Sequence, residues 1–216
     1  MEQYIVPFRE LIQIAPEIIL IIWSTAILLG MVFIRDKAVC RKASYAFACL
    51  GVILAGVAWA QQAMVFVASA HPEGIHYAFN RMYSLDGLCL FFKGLFLVSG
   101  LLVVLISQRF LDEERAPRAE FYSLLLLSMT AMMLLAGSSD LITIYINLEF
   151  MAISVYVLVG YLKFQPRSTE ASLKYFILGA FSSALILFGM SFIYGLTGTT
   201  NLEAIYNTLS GPAVAG

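Results

Sequence analysis

Four ionisable side chains interrupt otherwise apolar stretches of this 216-residue chain: Asp86, Lys93, Glu149 and Lys174. A charge at the centre of a bilayer costs at least ~2.5–3.5 kcal/mol even on lenient insertion scales, so each needs a partner, a proton or a task. Glu149 is the sharpest case. It lies nine residues past Asp140 and fourteen before Lys163, hence ~13 Å and ~21 Å from those helix ends, near mid-bilayer. One reading is a proton or ion site tuned by desolvation against a basic partner. The other is a protonated carboxyl bonded to a neighbouring helix as packing glue.

Lys174 lies seven residues past Arg167, ~10 Å inside the same boundary. Glu170 stands one turn before it, in the favourable Glu-to-Lys order, so a local pair with a snorkelling stem competes with a functional role. On antiparallel neighbouring helices Lys174 falls ~10 Å nearer the cytoplasm than Glu149, which leaves coupling through water or another side chain rather than a direct ion pair. Asp86 and Lys93 are seven residues apart and share a face. Asp86 reads as a helix-start acid. Lys93, beside Phe91 and Phe92, reads as snorkelling, as paired to another subunit, or as a further functional site.

The elements that position these groups follow from composition. Hydrophobic residues make up 61% of the chain and charged residues 12%, about half the charge of soluble domains, with mean hydropathy +0.86. A soluble enzyme and a nucleic-acid binder are both excluded. The three cysteines (Cys40, Cys49 and Cys89) lack CxxC spacing, so no disulfide framework or zinc site is indicated. His71 and His76 fall in an outer loop, which removes paired haem ligands.

Apolar runs cover 15–34, 43–72, 85–106, 121–135, 141–162 and 169–196. Their all-round hydrophobicity predicts an all-α integral membrane protein with six transmembrane helices. Pro16 suits a first helical turn and Glu17 suits the positive end of that helix's dipole. Residues 197–201 read as loop. Gly179 and Ser183, or Ala180 and Ala184, offer a small-residue face for close helix packing. Loops after the first, third and fifth runs hold nine basic residues, among them Arg35, Lys42, Arg109 and Arg167, against Arg9 and Arg81 on the other side. That bias predicts both termini outside.

A series of motifs then resembles a known family. They are Ala15-Pro16-Glu17-Ile18, Ser84-Leu85-Asp86-Gly87, Phe121-Tyr122, Ser139-Asp140-Leu141, Asn147-Leu148-Glu149-Phe150 and Leu158-Val159-Gly160-Tyr161. The series continues with 168–176 (STEASLKYF), 179–184 (GAFSSA) and Tyr194-Gly195. The pattern resembles the N subunit of bacterial NADH:quinone oxidoreductase, respiratory complex I, within the antiporter-like family shared with multisubunit cation/proton antiporters. The resemblance implies a proton-translocating module of the membrane arm, in which Glu149 matches the functional glutamate of the fifth helix and Lys174 a sixth-helix lysine. Such subunits are about twice this length and carry two inverted repeats. The implied division is therefore a three-helix segment over 1–120 and the incomplete start of a proton-translocation repeat over 121–216, covering only the N-terminal half.

The resemblance further implies no cofactor on this chain, with NADH, flavin, iron–sulfur clusters and quinone held elsewhere in the whole complex. The implied setting is a multi-pass subunit of a hetero-oligomer in the bacterial inner membrane, contacting lipid and other membrane-arm subunits. A subunit of a cation/proton antiporter or membrane hydrogenase, and a non-transporting scaffold, are the rival expectations.

Overall fold

Pro16 decides how the chain enters its helical bundle. A proline has no N–H, so the carbonyl four residues earlier loses its helical partner. In the computed structural model, which describes residues 8–33, 37–68, 76–114, 116 and 118–210, a short helix α1 (Phe8–Gln13) stops there and α2 (Ala15–Phe33) begins. The freed carbonyl of Ile12 accepts instead from Gln62 Nε2 at 2.5 Å. Gln62 belongs to α3 (Lys37–Ala68), so the break ties two helices together through a side chain.

The chain continues through β1 (His76–Ala78), β2 (Tyr83–Leu85), α4 (Gly87–Glu113), α5 (Arg118–Ala136), α6 (Leu141–Val159), α7 (Pro166–Thr197) and α8 (Leu202–Ser210). Among the described residues, five helical stretches are long and apolar enough to cross a membrane: Lys42–Ala68, Gly87–Glu113, Arg118–Ala136, Leu141–Val159 and Pro166–Thr197. The first expected span, on α2, is apolar over the shorter stretch Ala15–Gly30. Capping residues set several of the helix ends. Asp86 caps α4 through Cys89 N at 2.7 Å, and Asp140 caps α6 through Ile142 N at 2.9 Å. Gly198, at φ 68°, closes α7 in the left-handed conformation that glycine tolerates.

Helices α2 to α5 enclose the core. Leu20 and Ile27 of α2 meet Ala48, Val52 and Ala55 of α3, Leu97 and Val104 of α4, and Leu126, Met129 and Met133 of α5. Helix α6 packs on α5, and α7 packs on α6. Ser183 is the one buried residue of α7.

The stretch between the second and third expected runs contains an antiparallel hairpin, β1 with β2. Its turn holds Phe79, Asn80 and Arg81 at positive φ. The hairpin joins the ends of several helices. Ser84 N donates to Gly137 O at 2.8 Å and Ser139 N to Met82 O at 2.9 Å. Asn201 Nδ2 donates to Arg81 O at 3.0 Å, and Phe79 N donates to Glu10 at 2.8 Å. The α5–α6 turn bonds in turn to the segment after α7, with Leu141 N on Thr200 O at 2.8 Å. Gln165 meets Glu114 at 2.7 Å at the opposite end of the bundle. Loops therefore alternate between ends as the apolar runs require. His71, Arg35, Ile34 and Arg115 lie outside the described residues.

Close approach of α3 and α4 depends on Gly94, where a Cβ would come within 2.5 Å of Trp59 Cζ2. The indole cannot retreat freely, since its Nε1 donates to Leu90 O at 2.8 Å. Gly94→Ala is expected to destabilise the fold by about 1–3 kcal/mol through overpacking. A lowered unfolding midpoint in detergent, with a shifted tryptophan emission, checks this.

Candidate functional site

Glu149 stands midway along α6 and faces α7. Asp140 fixes the helix start by capping it and also accepts from Thr200 Oγ1 at 2.6 Å, which locks the register of α6 against the segment after α7. Ser183 of α7 donates its hydroxyl to Glu149 Oε1, and Ser183 Oγ also lies 3.1 Å from Tyr145 Oη. A hydroxyl has one proton, and a bond to a carboxylate is the stronger use of it. Tyr145, Glu149 and Ser183 thus form a small polar cluster in an apolar interface.

That interface exists because α7 presents small residues to α6. Ser172 Oγ donates to Tyr156 O at 3.0 Å, and a Cβ at Gly179 would overlap the Tyr156 hydroxyl. The Gly179/Ser183 face is therefore the one in contact, while Ala180 and Ala184 are exposed. Asn147, from the same motif as Glu149, is buried and donates to Ser138 Oγ at 3.0 Å.

Lys174 is not brought to Glu149. It pairs with Glu170 one turn away, and both side chains are largely exposed, at 74% and 63%. Ser183 marks the level of Glu149, and nine residues separate it from Lys174, about 13 Å along the helix. Asp86 serves as the N-cap of α4, the helix-start role expected of it.

Lys93 corrects the sequence expectation. It neither snorkels nor waits for another subunit. Its Nζ lies 2.8 Å from Glu17 Oε1, with the two side chains 0% and 1% exposed. It also donates to Gln13 O at 2.9 Å, the second carbonyl left open by the α1–α2 break, and lies 5.4 Å from the Tyr83 ring centre. Burial, then the charge of Glu17 and the neighbouring Cys89, push the Tyr83 phenol well above its ordinary range. It therefore stays neutral at physiological pH. Glu17 had read as a dipole-facing first-turn acid. The signal that could have found its role was a lone acid and a lone base in two different apolar runs. Only the fold brings them together.

Comparisons with known proteins bear on the whole arrangement. The family described as NADH:quinone oxidoreductase/Mrp antiporter, TM matches residues 138–215, the stretch that carries Glu149, Lys174 and Ser183. A subunit N of NADH-quinone oxidoreductase from Desulfitobacterium hafniense is 49% identical over 132 residues, covering 61% of this chain and 27% of that protein. The subunit N from Erythrobacter litoralis is 36% identical over 207 residues, covering 96% of this chain and 41% of that protein. The chain belongs to this antiporter-like family. Its fold agrees: a chain of respiratory complex I from Thermus thermophilus, determined with bound aureothin, superposes with TM-score 0.67 at 28% identity. That match covers 91% of this chain and 39% of the other. The chain thus spans between a quarter and about two fifths of the length of these relatives. Within the family it is a multi-pass helical membrane protein.

The Glu17–Lys93 pair makes a sharp thermodynamic expectation. Removing one partner of a buried ion pair leaves the other uncompensated, at about 3–5 kcal/mol, whereas replacing both with apolar or neutral groups is near neutral. Glu17→Gln and Lys93→Met should each lower the unfolding midpoint strongly, and the double variant should regain most of the loss.

Proposed function

We propose that the chain is part of a membrane-arm subunit of a proton-translocating NADH:quinone oxidoreductase in a bacterial inner membrane. In this reading Glu149 holds a proton within the bilayer. The observation that carries it is the placement of Glu149 midway along α6, hydrogen-bonded across the interface by Ser183. The family match over 138–215 supports the same segment.

A mid-membrane carboxyl exchanges a proton when its surroundings alternately favour and disfavour its charge. Ser183 stabilises the ionised form by donating to it. Tyr145 stands beside Ser183 and extends the polar cluster. Lys174 acts at a distance. Its charge on α7 biases Glu149 through the intervening helix and any water, and breaking its pair with Glu170 would free that charge. Redox energy reaches the site from other subunits of the hetero-oligomer as a shift in charge or helix position, since NADH, flavin, iron–sulfur clusters and quinone act outside this chain. By this reading 121–216 opens the proton-transfer repeat, 1–120 supports it, and the basic loop ends face the cytoplasm.

The scaffold reading draws on the same Ser183 bond, which also pins α6 to α7. The two readings separate on one variant. Glu149→Gln keeps the shape and the hydrogen-bonding capacity but removes the exchangeable charge. It is expected to abolish NADH-driven proton transfer in sealed vesicles while leaving the amount of assembled complex unchanged. Loss of assembly would favour the scaffold, and unchanged proton transfer at normal assembly would overturn the proposal.

A further inference from the structure

A hydroxyl on a membrane helix has a default partner, the carbonyl about one turn back on its own chain. On α7, Ser182 donates to Leu178 O at 2.9 Å, Ser191 to Phe188 O at 2.6 Å and Thr197 to Ile193 O at 2.8 Å. Ser183 departs from that habit. Among the described residues its Oγ has two partners, both on α6: Glu149 Oε1, and Tyr145 Oη at 3.1 Å. Tyr145 and Glu149 are four residues apart and so share a helix face. Ser183 Oγ stands between their polar ends.

Three oxygens joined by two contacts make the hydrogen accounting short. With Glu149 ionised, the carboxylate brings no hydrogen and each hydroxyl brings one. One arrangement fills both contacts: Tyr145 donates to Ser183, and Ser183 donates to the carboxylate. The charge-assisted bond holds that order. Protonating Glu149 adds a third hydrogen to the same two contacts. A neutral acid in an apolar interface needs an acceptor for its hydrogen, and Ser183 Oγ already lies against it. Ser183 then turns its own hydrogen to Tyr145 Oη, and the Tyr145 O–H leaves the chain of oxygens.

We propose that Tyr145 is a positioning residue for Glu149 that acts through Ser183, its hydroxyl donating inward while Glu149 is ionised and turning out when Glu149 takes a proton. The inference rests on the reading of Glu149 as a group that gains and loses a proton. The one proton that changes atoms is the one Glu149 takes up; both hydroxyls rotate and keep their hydrogens. Few other groups face this site. On α6, Tyr156 is seven residues past Glu149, with its hydroxyl at Gly179. α7 brings the Glu170–Lys174 pair and Tyr175, whose ring meets that of Tyr156 at 5.0 Å. α5 carries its charged and titratable side chains, Arg118, Glu120 and Tyr122, within its first five residues.

Infrared difference spectra between acid and alkaline buffer, taken on the full chain in its membrane complex with ring-labelled tyrosine, test this. A phenol band should shift with the same midpoint as a carboxyl band that is lost in Glu149→Gln. Tyr145→Phe should remove the phenol shift and leave the carboxyl band. Ser183→Ala should remove the phenol shift as well, whereas a tyrosine that only packs against its neighbours is indifferent to that hydroxyl. A phenol shift that survives either variant would overturn the proposal. So would a titrating Glu149 carboxyl with no phenol shift in the unmodified protein, the result of a proton settling on the other carboxyl oxygen. That outcome sinks this inference alone. If no carboxyl band depends on Glu149, the proton-site reading fails and takes the inference with it.

Discussion

A buried ion pair in an apolar bundle is tolerated only where geometry supplies every partner, and Glu17–Lys93 places that demand on four elements at once. Lys93 can reach Glu17 only if α4 faces α2 across the bundle at one height. It can reach Gln13 O only if the α1–α2 break opens that carbonyl. Tyr83 can cover the ammonium only if the hairpin folds back over the helix ends. The desolvation of both charges is what makes misplacement expensive, so the pair specifies register more than it adds stability. Around it the apolar core is forgiving, since hydrophobic contacts of similar volume exchange at modest cost.

The α6–α7 interface is built on the opposite principle. Few side chains are buried there, and small residues let the backbones approach. Ser172 and Gly179 admit Tyr156, and Ser183 reaches Glu149. A polar cluster held by a hydroxyl is easily rearranged, unlike a cluster held by a saturated ammonium. The chain thus contains a fixed polar site on α2 and α4 and an adjustable one on α6 and α7. The adjustable one lies in the segment that matches the antiporter-like family.

The long apolar runs, the helix class and the position of Glu149 were all legible in the sequence, because hydropathy and rise per residue are local properties. The capping role of Asp86 followed from its place before an apolar run. The local Glu170–Lys174 pair was among the readings that spacing allowed, and the structure selects it. What spacing could not show was any contact between distant runs. Glu17 and Lys93 are 76 positions apart, and each alone has an ordinary local explanation. The hairpin was equally hidden: its strands are three residues each, too short for alternation to register, and they are held by bonds to a turn more than fifty residues later. Ser183 read only as a small packing residue because its acceptor lies on another helix.

Helix lengths differ in a way that bears on how the bilayer acts on this protein. α5 and α6 have 19 residues each, about 28 Å, close to the ~30 Å hydrocarbon thickness. α7 has 32, about 48 Å, and must tilt or extend into the headgroups. Longer helices absorb changes in lipid thickness by changing tilt, whereas a helix that only just spans has no such reserve. α6 is capped at its start by Asp140 and ends at Gly160, so its apolar length is fixed. Thicker or thinner lipid therefore acts first on short helices such as α5 and α6, the second of which carries Glu149.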